Sequence, residues 1–259
     1  MNKTKIEWAD STWNPVTGCL HECEYCYARR IASRFGGYDE AECCPSPGAE
    51  LNHQLTITRK NGKKVAAPFP FGFLPTFHRY RLGELQHKNK PQTIFVCSMA
   101  DLFGEWVPDK WIYDVFNACN RFSQHRYLFL TKNPRRYIKL EENGWLPDEK
   151  NFWYGTTVTN PEQEFFYSSA RNTFLSMEPL LKPFGDAGHF DGYPPKWIII
   201  GAMTGSGSKQ HQPKQDWINE ILEAARKLKF HVFMKDSLIP IVGKENMICD
   251  FPWEVHKNG

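Results

Sequence analysis

A chain of 259 residues, 41% of them apolar, can bury a sizeable core, and its length suits one α/β domain or two small ones. A net charge of +3 creates no global field that demands a nucleic acid, and no run of about 18 apolar residues appears that would span a membrane. The opening Met1-Asn2-Lys3-Thr4-Lys5-Ile6-Glu7-Trp8 has no apolar secretion core, so a cytoplasmic protein is expected, in which clustered cysteines favour metal over disulfides.

In chain order, a weak first strand is expected near 15–18, feeding a loop that carries Cys19, Cys23 and Cys26. Residues 37–92 break the rhythm with Cys43-Cys44-Pro45-Ser46-Pro47, Arg59-Lys60-Asn61-Gly62-Lys63-Lys64 and Pro68-Phe69-Pro70-Phe71. They read as an elaborated first crossover with a hairpin around Asn61-Gly62. Beyond it, apolar runs over 93–97, 126–130, 151–155, 173–176, 197–200 and 231–234 read as strands. Stretches 108–121, 134–142, 161–170 and 215–227 read as helices, several opening on proline. The alternation predicts an α/β fold of parallel β/α units in a single domain over 1–259. Polar residues follow the strong strands, among them Ser98, Asp101, Lys132, Thr157, Thr159, Asn160 and Glu178. Ligands of parallel β/α architectures lie beyond the carboxyl ends of the strands, so these residues and the cysteine loop are expected on one rim.

Cys19, Cys23 and Cys26 stand at i, i+4 and i+7, which is also one face of a helix. Half-buried cysteines on an amphipathic helix fit poorly, because Leu20 is the only aliphatic residue there and Pro15 and Gly18 stand just upstream. Zinc is the alternative, with His21 or another residue as a fourth ligand, but the second C-x2-C knuckle of a structural zinc site is missing. Cys43 and Cys44 are adjacent, which is awkward for chelating one tetrahedral ion. Three thiolates on a four-iron cubane would leave one iron open, and an open position separates a reactive centre from a structural one.

The spacing C-x3-C-x2-C, with Tyr25 just before the last cysteine, is similar to that of radical S-adenosylmethionine enzymes. The resemblance implies an incomplete parallel (β/α)6-type barrel and a [4Fe–4S] cluster on Cys19, Cys23 and Cys26. It also implies S-adenosylmethionine on the open iron, cleaved to a 5′-deoxyadenosyl radical that abstracts hydrogen from substrate. Tyr25 would pack near the cofactor's adenine, and a reductant such as flavodoxin or ferredoxin would be needed. A closer resemblance rests on residues 6–19, Thr76-Phe77-His78, Ser98-Met99-Ala100-Asp101-Leu102-Phe103, Leu130-Thr131-Lys132-Asn133-Pro134 and Ser176-Met177-Glu178-Pro179-Leu180. These blocks resemble a phage and prophage family with a three-cysteine motif and no settled reaction, distantly similar to spore photoproduct lyase.

Where the superfamily presents a Gly-Gly-Glu turn to the cofactor's amino group, this chain has Ser98-Met99-Ala100-Asp101, so backbone carbonyls, Ser98 or Asp101 would take that part, or Asp101 would cap the next turn. Thr157 and Thr159 would meet a ribose, while Asn160 would cap the helix begun at Pro161. Glu178 would bind ribose, hold substrate or act as acid and base, or be an ordinary surface glutamate. After the sixth strand the expected acid is lost, leaving Gly201-Ala202-Met203-Thr204-Gly205. Lys132 and Lys235 also end strands and would meet an anion or lie exposed. Arg59, Lys60, Lys63, Lys64, Arg79, Arg81, Lys132, Arg135 and Arg136, beside Phe69, Phe71, Phe73 and Tyr80, would contact a nucleic acid or nucleotide substrate, or simply form a solvated surface. Cys97, Cys119 and Cys249 are expected as buried thiols. The alternative function is a non-catalytic iron–sulfur or zinc protein that binds nucleic acid or a partner protein.

Overall fold

The strongest apolar runs become parallel strands with both faces covered. The computed structural model describes residues 2–39, 49–185, 187–205 and 207–254, which fall into two compact units, Met1–Pro147 and Asp148–Gly259. Among the described residues, no helix is long and apolar enough to cross a membrane.

The first unit runs through β1 (Asn2–Lys3), β2 (Ser11–Trp13), β3 (Val16–Thr17), α1 (Tyr27–Phe35), β4 (Ala49–Leu51), β5 (Thr56–Thr58), β6 (Lys64–Ala66), β7 (Thr76–His78), β8 (Thr93–Val96), α2 (Asp109–Asn120), β9 (Arg126–Thr131) and α3 (Pro134–Glu142). β1 pairs antiparallel with β2, while β2, β8 and β9 run parallel to one another. The first parallel strand is therefore Ser11–Trp13, not the expected segment near 15–18. Pro15 has no N–H to continue a ladder, and its carbonyl accepts the His78 N–H at 2.7 Å. That bond turns β3 away to pair with β7, which also holds β4, in a separate three-stranded sheet. β5 and β6 form the expected hairpin. Gly62 sits at φ +76°, and Asn61 Oδ1 accepts the Lys63 N–H at 3.1 Å. The segment between β2 and β8 is thus an elaborated first crossover. Cys43 and Cys44 lie outside the described residues.

The second unit holds β10 (Phe152–Thr157), β11 (Asn172–Met177), β12 (Trp197–Ile200), α4 (Gln215–Leu228), β13 (His231–Met234) and α5 (Ile239–Val242). Its four strands run parallel in sequence order, every residue of β10 and β12 is buried, and the apolar face of α4 covers β11, β12 and β13 through Ile218, Ile221, Ala224 and Ala225. Gly155 is required inside β10, because a Cβ there would lie 2.2 Å from the Phe174 ring. Residues 161–170, expected as a helix, are turn and coil. The Gln163 side-chain carbonyl accepts the N–H groups of Thr159 and Asn160 at 2.6 and 3.3 Å, and Thr156 Oγ1 accepts the Phe166 N–H at 3.1 Å. Gln163 thus folds back on the residues before the expected helix, and the Phe166 N–H, which a helix would bond four residues back, goes to a side chain instead. Asn160 accordingly caps no helix; its side-chain oxygen accepts the Glu162 N–H and its carbonyl the Gln163 N–H. Cys249 is exposed, not buried, because it bridges the outer side of β13 at Phe233. Both units are runs of parallel β/α repeats, the α/β class expected from the sequence and the kind from which incomplete (β/α)6-type barrels are made.

Candidate metal and cofactor site

Gly18 turns the chain from β3 into the cysteine loop. Its φ is +88°, and a Cβ would lie 2.2 Å from the Leu74 carbonyl oxygen, so only glycine fits. The Gly18 N–H donates to Met99 O at 2.9 Å and the Cys19 N–H to Phe73 O at 3.2 Å, which fastens the start of the loop to the segment after β8 and to the one before β7. Glu22 at φ +55° reverses the chain between the first two cysteines. At the far end the Cys26 N–H donates to Cys23 O at 3.2 Å, and Cys26 itself caps α1, its Sγ accepting the Arg29 N–H at 3.3 Å. Only Cys26 touches the helix, which removes the reading of three cysteines along one helical face.

All three thiols are free and half-buried. Burial pushes the Cys19 thiol up to about 12, and the charges of Asp101, Cys23 and Cys26 push the same way against one backbone N–H bond from His21. Three thiolates that oppose one another in a partly desolvated loop are a donor set that a cation completes. Among the described residues, no three histidine, cysteine, aspartate or glutamate side chains are grouped to hold a metal ion. A cubane takes each thiolate on its own iron, so its ligands need not converge on one point. The donor set fits such a cluster.

Asp101 is the hub behind the loop. Buried to 5% exposure, its carboxylate accepts His21 Nε2 at 2.7 Å, the Phe103 N–H at 3.0 Å, the Thr131 hydroxyl at 2.8 Å and the Lys132 N–H at 2.9 Å. One side chain thus ties the cysteine loop to the segment after β8 and to the end of β9. His21, a candidate fourth ligand of the zinc alternative, is held by that carboxylate and lies edge-on to Trp106, with ring centroids 4.8 Å apart. Trp106 reaches this place because Gly104 has no Cβ, which would stand 2.3 Å from the indole.

Tyr25 is half-buried, and its hydroxyl accepts Lys132 Nζ at 2.9 Å. The Tyr27 hydroxyl donates to the Ser98 carbonyl at 2.7 Å, so α1 too is fastened beyond β8. Asn14 Oδ1 accepts the Ser98 hydroxyl at 3.2 Å and the Met99 N–H at 2.9 Å. Asn14 was not singled out by sequence reasoning, and its only signal was its place between the aromatic Trp13 and Pro15. Cys97, just before Ser98, is buried in the left-handed region at φ +58°, and burial pushes its thiol up to about 12. The first unit therefore brings Cys19, His21, Cys23, Tyr25, Cys26, Ser98, Asp101 and Lys132 into one neighbourhood.

In the second unit, strand register decides the site. Thr157 pairs with Ser176, Met177 with Ile200, and Ile200 with Met234, so Glu178, Gly201 and Lys235 follow at neighbouring strand ends. Lys235 Nζ makes a short ion pair with Glu178 Oε1, both side chains being half-buried. Gly201 permits that pairing, since a Cβ would lie 3.1 Å from Glu178 Cγ and 3.2 Å from Lys235 Cδ. Thr157 and Thr159 are buried at the end of β10, and the Thr159 hydroxyl donates to Gln163 at 3.1 Å. Lys235, weighed in the sequence as an exposed lysine, is instead the partner of Glu178.

A family model described as "Protein of unknown function (DUF5131)" matches residues 3–237. The chain belongs to that family. The matched span takes in the cysteine loop, Asp101, Glu178 and Lys235, and the description names neither a reaction nor phages. Two similar solved structures are both of spore photoproduct lyase. One is complexed with dinucleoside spore photoproduct, at 10% identity and a TM-score of 0.45. The other is a mutant with bound AdoMet and dinucleoside spore photoproduct, at 9% identity and a TM-score of 0.45. Each likeness covers 87% of this chain and 63% of that chain, so this family member spans less than two thirds of their length. No curated protein matches the chain.

Several of the basic residues serve the fold of this family member. Arg79 pairs with Glu50 at 2.7 Å and with Asp114 at 3.0 Å. Arg81 donates to the carbonyls of Asn14 and Pro68, and Arg136 pairs with Asp109 at 2.6 Å. Phe71 is buried in a small core with Leu51, Leu55 and Ala67. Arg59, Lys60, Lys63 and Lys64 on the hairpin are exposed.

Proposed function

We propose that this chain is a radical S-adenosylmethionine enzyme that holds one [4Fe–4S] cluster on Cys19, Cys23 and Cys26 and acts on a nucleic acid or nucleotide. One observation carries the reading: a C-x3-C-x2-C loop that starts at a glycine fastened beyond β8 and ends as the N-cap of α1. When bound, the cluster would supply the electron that cleaves S-adenosylmethionine to a 5′-deoxyadenosyl radical for hydrogen abstraction. The remaining work belongs to the protein. Asp101 holds His21 and keeps the loop against the ends of β8 and β9. Lys132 fixes Tyr25, whose place in the motif suits packing against adenine. Tyr27 and Asn14 hold the Ser98–Met99 backbone in the place of the missing Gly-Gly-Glu turn. Thr157, Thr159 and the Glu178–Lys235 pair are the polar strand-end groups available to ribose or substrate in the second unit. The substrate class rests on the exposed basic hairpin at Arg59, Lys60, Lys63 and Lys64.

Anaerobic reconstitution with iron and sulfide tests the reading. A brown protein with about four irons per chain is expected, with an EPR signal that changes on adding S-adenosylmethionine and with 5′-deoxyadenosine as product. Cys23→Ala should lose all three. An EPR signal indifferent to S-adenosylmethionine, with no 5′-deoxyadenosine, would instead favour a non-catalytic iron–sulfur protein, and bound zinc without colour would favour the zinc alternative.

A further inference from the structure

We infer that the outward face of α1, with Leu20 of the loop that feeds it, is the docking surface for an acidic protein that delivers single electrons; this rests on the proposed function. The two sides of the helix differ. Ala28 and Ala32 are buried, whereas Tyr27, Ile31 and Phe35 repeat at four-residue spacing and are 46%, 38% and 48% exposed. Leu20, in the loop that feeds the helix, is 43% exposed. Single apolar side chains at a surface are ordinary, but a row of them along one short helix and its loop marks an interaction site.

Charge narrows the partner. Arg30 and Arg34 are exposed on the same stripe, and the Arg34 guanidinium lies 5.2 Å from the centre of the Phe35 ring. The helix, Tyr27-Ala28-Arg29-Arg30-Ile31-Ala32-Ser33-Arg34-Phe35, carries no acid. Aromatic and aliphatic anchors flanked by arginine are the composition of protein interfaces, and the unbalanced positive charge complements an acidic partner. Glu22 and Glu24 are exposed in the cysteine loop, so the partner's carboxylates would meet the helix and not the loop. A single-stranded nucleic acid would stack on Tyr27 and Phe35, but Leu20 and Ile31 offer no ring for a base.

Position selects an electron donor among acidic proteins. The stripe begins at Tyr27, the residue after the capping Cys26, and Leu20 directly follows Cys19. At this surface one electron would leave the donor, which would be oxidised, and enter the cluster that Cys19, Cys23 and Cys26 would hold, which would be reduced. No bond forms or breaks there.

The test compares two reductants on the reconstituted full chain. Dithionite needs no docking surface, whereas reduced flavodoxin does. The variants are Arg30→Glu with Arg34→Glu, and Ile31→Asn, all at exposed positions of α1 and none among the residues assigned to the candidate site. Formation of 5′-deoxyadenosine driven by flavodoxin should fall about tenfold or more in each variant while the dithionite-driven rate is unchanged. Flavodoxin binding, read by titration calorimetry, should weaken in parallel, and added salt should slow only the flavodoxin-driven reaction. Unchanged binding and unchanged flavodoxin-driven rates would overturn the surface assignment while leaving the enzyme reading intact. Loss of oligonucleotide binding in the variants without loss of flavodoxin-driven turnover would also overturn it, in favour of a nucleic-acid surface. If the parent protein forms no 5′-deoxyadenosine even with dithionite, the functional reading falls and this role of the surface with it.

Discussion

Asp101 concentrates at one residue what the candidate site needs from its surroundings. Its four donors come from the cysteine loop, from its own segment and from β9, and a buried carboxylate left without them would be costly. Asp101→Asn replaces an acceptor-only group with one that also donates, so at least one of these partners is lost. A charge-assisted bond of this kind contributes about 1.5–3 kcal/mol, and the melting temperature should drop accordingly. Iron titration into the apoprotein should show weaker uptake than in the parent, because the loop is less ordered. Gly104→Ala acts one step further out. Its Cβ would meet the Trp106 ring at 2.3 Å and push the indole from His21, at about 1–3 kcal/mol in a urea titration. An unchanged midpoint would refute the packing argument. The cysteine loop was legible in the sequence because its three cysteines lie within eight residues. The role of His21 was not, because its partner lies 80 positions along the chain.

Elements were legible where one physical signal dominated. Buried parallel strands read as apolar runs, and the observed bounds of β12 and β13 are those expected from the sequence. The helix expected over 161–170 gives way to local side-chain bonds: Thr156 Oγ1 takes the Phe166 N–H, and Gln163 folds back on the residues just before the segment. Gln163 alone serves the N–H groups of Thr159 and Asn160 and the Thr159 hydroxyl. Gln163→Ala should therefore destabilise the chain by about 1–2 kcal/mol in denaturant unfolding. A helical segment would instead gain slightly from alanine, so the sign of the change decides between the two structures. The first strand was misplaced for a related reason: Pro15 breaks the ladder that periodicity alone would continue.

At the scale of the molecule, stability should depend on pH through buried histidines. His78 is fully buried between Thr17 Oγ1 at 2.9 Å and the Tyr80 hydroxyl at 3.3 Å. Burial pushes its pKa down to about 2, with Arg81 adding to the effect. The folded chain thus keeps His78 neutral, while the unfolded chain protonates it near its ordinary value of 6.5. The unfolded state binds the extra proton between those two values, so the contribution is fully present above about pH 6.5 and is lost as pH falls. Burial lowers His125 and His189 in the same direction. The urea midpoint should fall from pH 7.5 to pH 5, His78 accounting for up to about 1.4 kcal/mol per pH unit below pH 6.5, and His78→Gln should flatten that slope. A midpoint independent of pH across this range would contradict the buried neutral imidazole.

The sequence by itself determined the close spacing of the three cysteines, the parallel β/α alternation and the hairpin at Asn61-Gly62, since each depends on residues close together in the chain. Spacing alone could not distinguish a helical row of cysteines from a loop that ends as a helix cap. Tertiary structure decided that, through Gly18 against Leu74 and Cys26 at the start of α1. It also decided that Asp101 faces His21, that Lys235 faces Glu178, and that Arg79, Arg81 and Arg136 are taken up within the fold. These pairings join residues far apart in sequence, and strand register and backbone approach, which no local pattern encodes, bring them within bonding distance.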